Sequence, residues 1–154
     1  MKLLKKVFIG LFCMIFIFSL VGCGKKKKIS PETFKSKMEE KNVTINEPQN
    51  TDSEEVVKYL FARENDSMYS IEFYEFTNSK AAQTSFDELK SELMSLAVKG
   101  SVSSNFKSDT RSKYMLTNND NYYVASVIDN TLLFAVSPVE YKNDLKKIIK
   151  ELGY

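Results

Sequence analysis

The chain has 154 residues, 22 basic and 20 acidic, with a formal charge of +2; that length builds one hydrophobic core and not two comfortable ones. Histidine is absent, which removes the commonest general base near neutral pH, the usual zinc ligand and every Ser/His or Cys/His nucleophile system. Seven lysines crowd the first 28 residues; the remainder holds 15 basic against 20 acidic side chains, net −5, and such a body argues against nucleic acid.

Met1 to Lys6 carries three lysines, and Val7 to Val21 is apolar apart from Gly10 and Ser19. These are the basic and apolar regions of a signal peptide, and the apolar run is shorter than the roughly 20 residues that a spanning helix needs. The run ends in Leu20-Val21-Gly22-Cys23. A hydrophobic residue, a small residue, glycine and cysteine in this order resembles the lipobox of bacterial lipoproteins at all four positions. The resemblance implies cleavage before Cys23, a diacylglyceryl group on its thiol, and a protein held on the extracytoplasmic face of the cell membrane. Two acyl chains hold where one exchanges. The alternative, a transmembrane anchor that keeps its N-terminus, leaves the lipobox unexplained. Lys25 to Lys28 then read as a basic collar, each lysine attracted to anionic headgroups by about 1 kcal/mol. The division is therefore signal peptide 1–22, lipidated basic tether 23–28 and a single domain 29–154. Cys13 leaves with the signal peptide and Cys23 is consumed by lipid, so the body rests on packing without a disulfide.

Ser30-Pro31-Glu32 opens a first helix, with serine as cap, proline in the first turn and an acid at the positive end of the dipole. Only Phe34 and Met38 mark its apolar stripe, so it is expected to pack lightly, and Lys41-Asn42 ends it. A short strand at Val43 to Ile45 and a polar loop at Glu47 to Ser53 follow. Glu55 to Arg63 and Met68 to Phe76 alternate with period two and predict a hairpin. The spacing of Ala82, Phe86, Leu89, Leu93 and Leu96 predicts a helix over 79–98, ended by Gly100. Ser101 to Ser112 reads as a loop or an edge strand around Val102 to Phe106. Strands are expected at Tyr114 to Thr117, Tyr122 to Ile128 and Thr131 to Val136, the last two joined at Asp129-Asn130. Ser137, Pro138 and Glu140 read as the cap, first turn and capping box of a final helix with the stripe Tyr141, Leu145, Ile148 and Leu152.

The sum is an α+β fold: an antiparallel sheet from two hairpin-then-helix (ββα) units, 55–98 and 122–152, plus an extra N-terminal helix, with helices against one face. The last hairpin is apolar on both sides. Tyr123, Ala125, Val127, Leu132, Phe134 and Val136 share one face; Val124, Ile128, Leu133 and Ala135 share the other. The second face is then either covered by another element or a contact surface. Tyr74 and Tyr122 oppose the core register and read as an exposed platform beside it. The candidate binding face is thus Tyr74, Tyr122, Val124, Ile128, Leu133 and Ala135. Tyr59, Tyr69, Tyr123 and Tyr141 fall on core faces.

Chemistry-bearing motifs are absent. Glu72 and Glu75 point to opposite faces of a strand. Glu88 and Glu92 read as a solvated helix face, and Ser95 with Lys99 as a surface pair. Asn118 to Asn121 is a turn, lacking the glycine and terminal glutamate of a calcium loop. No glycine-rich loop is present to cradle a phosphate. The C-terminal third, through Tyr114-Met115-Leu116-Thr117, Asn130-Thr131-Leu132-Leu133 and Lys146 to Tyr154, resembles small uncharacterised lipoproteins of Gram-positive bacteria, which implies no known activity. The expectation is a non-enzymatic, lipid-anchored binding or adaptor protein on the outer face of a Gram-positive membrane, without cofactor or metal. Its partners are the membrane and a protein or cell-envelope component. The alternatives are an inhibitor- or immunity-type protein acting on a secreted enzyme, or a small carboxylate-dependent hydrolase.

Overall fold

The Thr33 amide donates to the Ser30 hydroxyl at 3.2 Å and Pro31 takes the first turn, so helix α1 (Pro31–Glu39) starts where the cap chemistry sets it. It ends before Asn42, whose φ of 57° is one that asparagine tolerates. The fold is that of a computed structural model, which describes residues 27–48, 53–64 and 68–154. Strand β1 (Thr44–Asn46) follows, then β2 (Val56–Arg63), β3 (Ser70–Phe76), helix α2 (Ser79–Ser95), β4 (Val102–Lys107), β5 (Arg111–Thr117), β6 (Asn121–Ile128) and β7 (Thr131–Pro138). A 3₁₀ turn (Val139–Tyr141) leads into helix α3 (Lys142–Glu151). The proposed signal peptide, Cys23, Lys25-Lys26 and the tip of the first hairpin lie outside the described residues. No described helix is long and apolar enough to cross a membrane.

The seven strands form one sheet in the order β1-β2-β3-β7-β6-β5-β4, with every neighbouring pair antiparallel. Helix α2 connects β3 to β4, which lies at the far edge beyond β7, β6 and β5. Its N-cap is Asn78, whose side chain accepts from the Ala81 amide at 2.9 Å. The segment that composition left between loop and strand is β4, paired only with β5 and exposed along its whole length.

Helices cover both faces of the sheet, not one. Phe34 and Met38 of α1 and Leu145, Ile148 and Ile149 of α3 share one buried cluster with Leu60, Phe73, Val124, Ile128, Leu133 and Ala135. Ala81, Ala82, Phe86 and Leu93 of α2 share the other with Phe76, Tyr114, Leu116, Ala125, Val127 and Leu132. This resolves why β6 and β7 are apolar on both sides. It also separates the two hairpin-then-helix segments. A dyad normal to the sheet relates antiparallel neighbours such as β3 and β7 and would put both helices on one face. They lie on opposite faces, so the arrangement is two successive segments and not a repeated unit.

Two local readings change as well. Helix α1 packs tightly: Phe34 and Met38 are fully buried, and the Phe34 ring stacks on Phe73 at 5.1 Å. Two apolar residues suffice because both insert into the sheet. Ser137 does not cap α3. Strand β7 continues through Ser137 and Pro138, the chain turns through the 3₁₀ segment, and α3 starts at Lys142 without a side-chain cap.

Candidate functional site

The face that was expected to bind is interior. Tyr122, Val124, Ile128, Leu133 and Ala135 are at most 2% exposed, packed under α1 and α3. Tyr122 is no platform: its hydroxyl meets the Met115 sulfur at 3.3 Å, and the ammonium groups of Lys142 and Lys146 lie 5.2 and 5.6 Å from its ring centroid. Burial pushes its phenol up to about 12. Tyr74 belongs to the opposite face, and there the sheet is open.

That opening follows from dimensions. Seven strands about 4.8 Å apart span roughly 29 Å, whereas one helix with its side chains is about 10 Å across. Helix α2 is the only helix on its face among the described residues, and its buried residues pack on β3, β7, β6 and β5. The β2–β3 side of that face, with the adjoining end of β7, is left without a helix. The register sets Tyr59 opposite Tyr74 and Phe61 opposite Glu72 across the β2–β3 pair, and Glu72 opposite Phe134 across β3–β7. All five side chains are half-buried.

Between this floor and α2 runs a cleft of about 490 Å³, lined by Glu72, Tyr74 and Phe134 below and by Glu88, Leu89 and Glu92 of the helix. Tyr59 and Tyr74 stack with ring centroids 4.6 Å apart and planes 15° from parallel. The Tyr74 hydroxyl donates to the Glu72 carboxylate. Burial, then that hydrogen bond and the charge of Glu72, hold the Tyr74 phenol far above its ordinary value; burial and the same charge raise Tyr59. Glu88 and Glu92, a solvated face by sequence, are exposed and form the rim. Glu75 points the other way, as expected, and pairs with Lys28 at 3.2 Å; Lys28 also donates to Asn130 at 2.5 Å. Lys28 therefore lies on the α1 side of the sheet, clear of the cleft.

A second depression, about 320 Å³, lies at the end of the sheet where β2 meets β3 and β7 meets β6. It wraps around that end: Phe61, Arg63, Ser70 and Val136 share the cleft face, whereas Tyr69 and Ser137 alternate to the other. Phe61 and Ser70 carry it into the cleft row of Glu72 and Phe134.

Aromatic floor and acidic rim can hold a cation or an apolar group beside one, through charge and ring faces. No group of three or more His, Cys, Asp or Glu that could hold a metal occurs among the described residues. Of the six candidate binding-face residues only Tyr74 lies here, and the carboxylates Glu72, Glu88 and Glu92, weighed in the sequence as ordinary surface acids, join it. Tyr59 and Phe134 read as core and Phe61 as part of the same strand face, but all are half-buried here, because period two marks a face and not whether a helix covers it.

No family model matches the chain, and no curated protein does. Among solved structures it is similar to a GTP-binding regulator from Thermotoga maritima, with 16% identity and a TM-score of 0.48. The likeness covers 81% of this chain and 85% of that one. A likeness at that level does not bear on function.

Proposed function

We propose that this chain is a lipid-anchored binding module on the extracytoplasmic face of a Gram-positive membrane, and that its ligand lies in the aromatic cleft between α2 and the β2–β3 hairpin. The anchor is read from the lipobox at Leu20 to Cys23 and the basic tether that follows. The site is read from one observation above others: stacked and paired aromatic side chains on the β2–β3 side of the sheet that no helix of the described residues covers, edged by Glu72, Glu88 and Glu92. A patch of this kind on a small domain marks an interaction site, and aromatic residues supply a disproportionate share of binding energy. Carboxylates on the rim select a basic ligand and steer it in.

The module acts by binding and not by turnover. Glu72 is engaged by Tyr74, and Glu88 and Glu92 are exposed, so the described carboxylates of the cleft offer no free, buried acid for hydrolysis. An inhibitor-type protein that docks on a secreted enzyme would use the same open half-sheet and differs only in the size of its partner. Titration of the detergent-solubilised full chain with a lysine-containing tetrapeptide, followed by tyrosine emission, tests the reading; the sequence has no tryptophan to mask that signal. Saturable binding that falls about tenfold in Glu72→Gln is expected. Binding unchanged in Glu72→Gln and in Phe134→Ala would refute the site.

A further inference from the structure

The two edges of the sheet are finished differently. At one edge β1 has only three residues, Thr44–Asn46. At the other, β4 runs for six residues, all exposed, without proline or bulge and with Lys107 as its only charge. Native edges are usually shortened, bent or charged, because their free N–H and C=O groups pair with other chains. The Ser108 amide donates to the Arg111 carbonyl at 2.7 Å, and the ladder alternates from that pair. Val102, Ser104 and Phe106 therefore bond to β5, whereas the backbone groups of Ser103, Asn105 and Lys107 point outward. No strand among the described residues pairs with them. The register carries Phe106 through Lys113 and Ser126 to Leu133, so Val102 and Phe106 share the α1/α3 side of the sheet. They are 68% and 49% exposed, and the Arg111 guanidinium lies 5.6 Å from the Phe106 ring centroid.

This edge is complementary to itself. A two-fold axis normal to the sheet at Ser104 sets Ser103 against Asn105 of a second copy, and Asn105 against Ser103. All of these residues turn their backbone groups outward, so each pair exchanges both of its hydrogen bonds. The same axis sets Val102 against Phe106 twice, on one face and in the closer non-hydrogen-bonded positions, where apolar cross-strand pairs are stabilising. The neighbouring registers set Val102 or Phe106 against Ser104 instead. Lys99 and Asp109 are exposed and stand equally far before and after Ser104, so the axis brings each Lys99 toward the other copy's Asp109. Such an axis also preserves faces. Both copies keep Lys28 on one side and the cleft on the other, as two chains anchored to one membrane require. We propose that β4 pairs edge to edge with β4 of a second copy, antiparallel and centred on Ser104, joining two seven-stranded sheets into one. The pairing depends neither on the cleft nor on the anchor. So short an edge buries less than the roughly 1,200 Å² of a stable complex, which makes the dimer reversible; confinement on a membrane favours it.

The test uses the full chain in detergent, with Cys13→Ser and Cys23→Ser removing its two native thiols. Ser103→Cys, Ser104→Cys and Asn105→Cys are then introduced one at a time at these exposed positions and oxidised mildly, and the dimer is measured on a non-reducing gel. Across the axis the two copies of residue 104 lie about 4.5 Å apart at Cα, within disulfide range. Those of 103, and of 105, lie roughly 9 Å apart, beyond it. Ser104→Cys should therefore yield a reducible dimer, at least about tenfold more than either neighbour. Adding Asn105→Pro removes an outward N–H that the β4–β5 ladder does not use, and should cut that yield about tenfold with the melting temperature unchanged. The cysteine scan decides the matter whichever way the proline variant folds. Dimer from Ser103→Cys or Asn105→Cys in place of Ser104→Cys would overturn the register. Equal yields at all three positions would mean random collision, and none at any would mean that the edge takes no second copy; either result overturns the proposal.

Discussion

Leu133→Ala separates a covered face from a contact face. Leu133 is fully buried in the cluster beneath α1 and α3, across from Phe73 on β3 and Ser126 on β6. Truncation removes the equivalent of about three methylene groups, or roughly 2 kcal/mol in transfer energy, and a rigid sheet adds 1–2 kcal/mol for the cavity. The expected loss is about 3–4 kcal/mol, a melting temperature lower by roughly 10–15 °C for a domain of this size. Its neighbour Phe134 points to the opposite, half-open face, and Phe134→Ala should cost about 1–2 kcal/mol despite the larger side chain. Urea unfolding followed by circular dichroism measures both, with unchanged slopes showing that the unfolding reaction is the same. A Leu133→Ala loss below about 1 kcal/mol would mean that α1 and α3 do not seal this face, and the binding surface would move there.

Two further outcomes are expected. Cys23→Ser should abolish fatty-acid incorporation and leave the precursor uncleaved; equal metabolic labelling of the variant would refute the lipoprotein assignment. Tyr59, Tyr69, Tyr74, Tyr122 and Tyr154 all have phenols raised above 10.0, chiefly by burial. The stability they confer is complete below pH 10 and is lost as the pH climbs through their folded values, because the unfolded chain sheds those protons first. Tyrosinate absorbance should therefore rise late and cooperatively with alkaline unfolding, and a smooth titration of all eight tyrosines near pH 10 would contradict the burial described.

Much of the secondary structure is legible in local pattern. Period two marks both hairpins, Ser30-Pro31 marks a helix start, and Leu145, Ile148 and Leu152 are buried as the stripe on α3 demands. Ser137-Pro138 misleads because a cap and a strand end use the same residues; the ladder from Asn121 to Pro138 decides between them, and that pairing is not local. Layering is also not local. Alternation in β6 and β7 gives two apolar faces but not which helix covers which. Which half stays open depends on the path of α2 from β3 to the far edge, set by packing of Phe86 and Leu93 and by no motif.

Hydroxyl-radical footprinting of the full chain, with and without the lysine-containing tetrapeptide, tests the central claim most directly. Protection should gather on Tyr59, Phe61, Tyr74 and Phe134, with the exposed Val102 and Phe106 of the opposite edge unaffected. Protection confined to β4, or none anywhere at saturating peptide, would contradict a ligand site in the cleft.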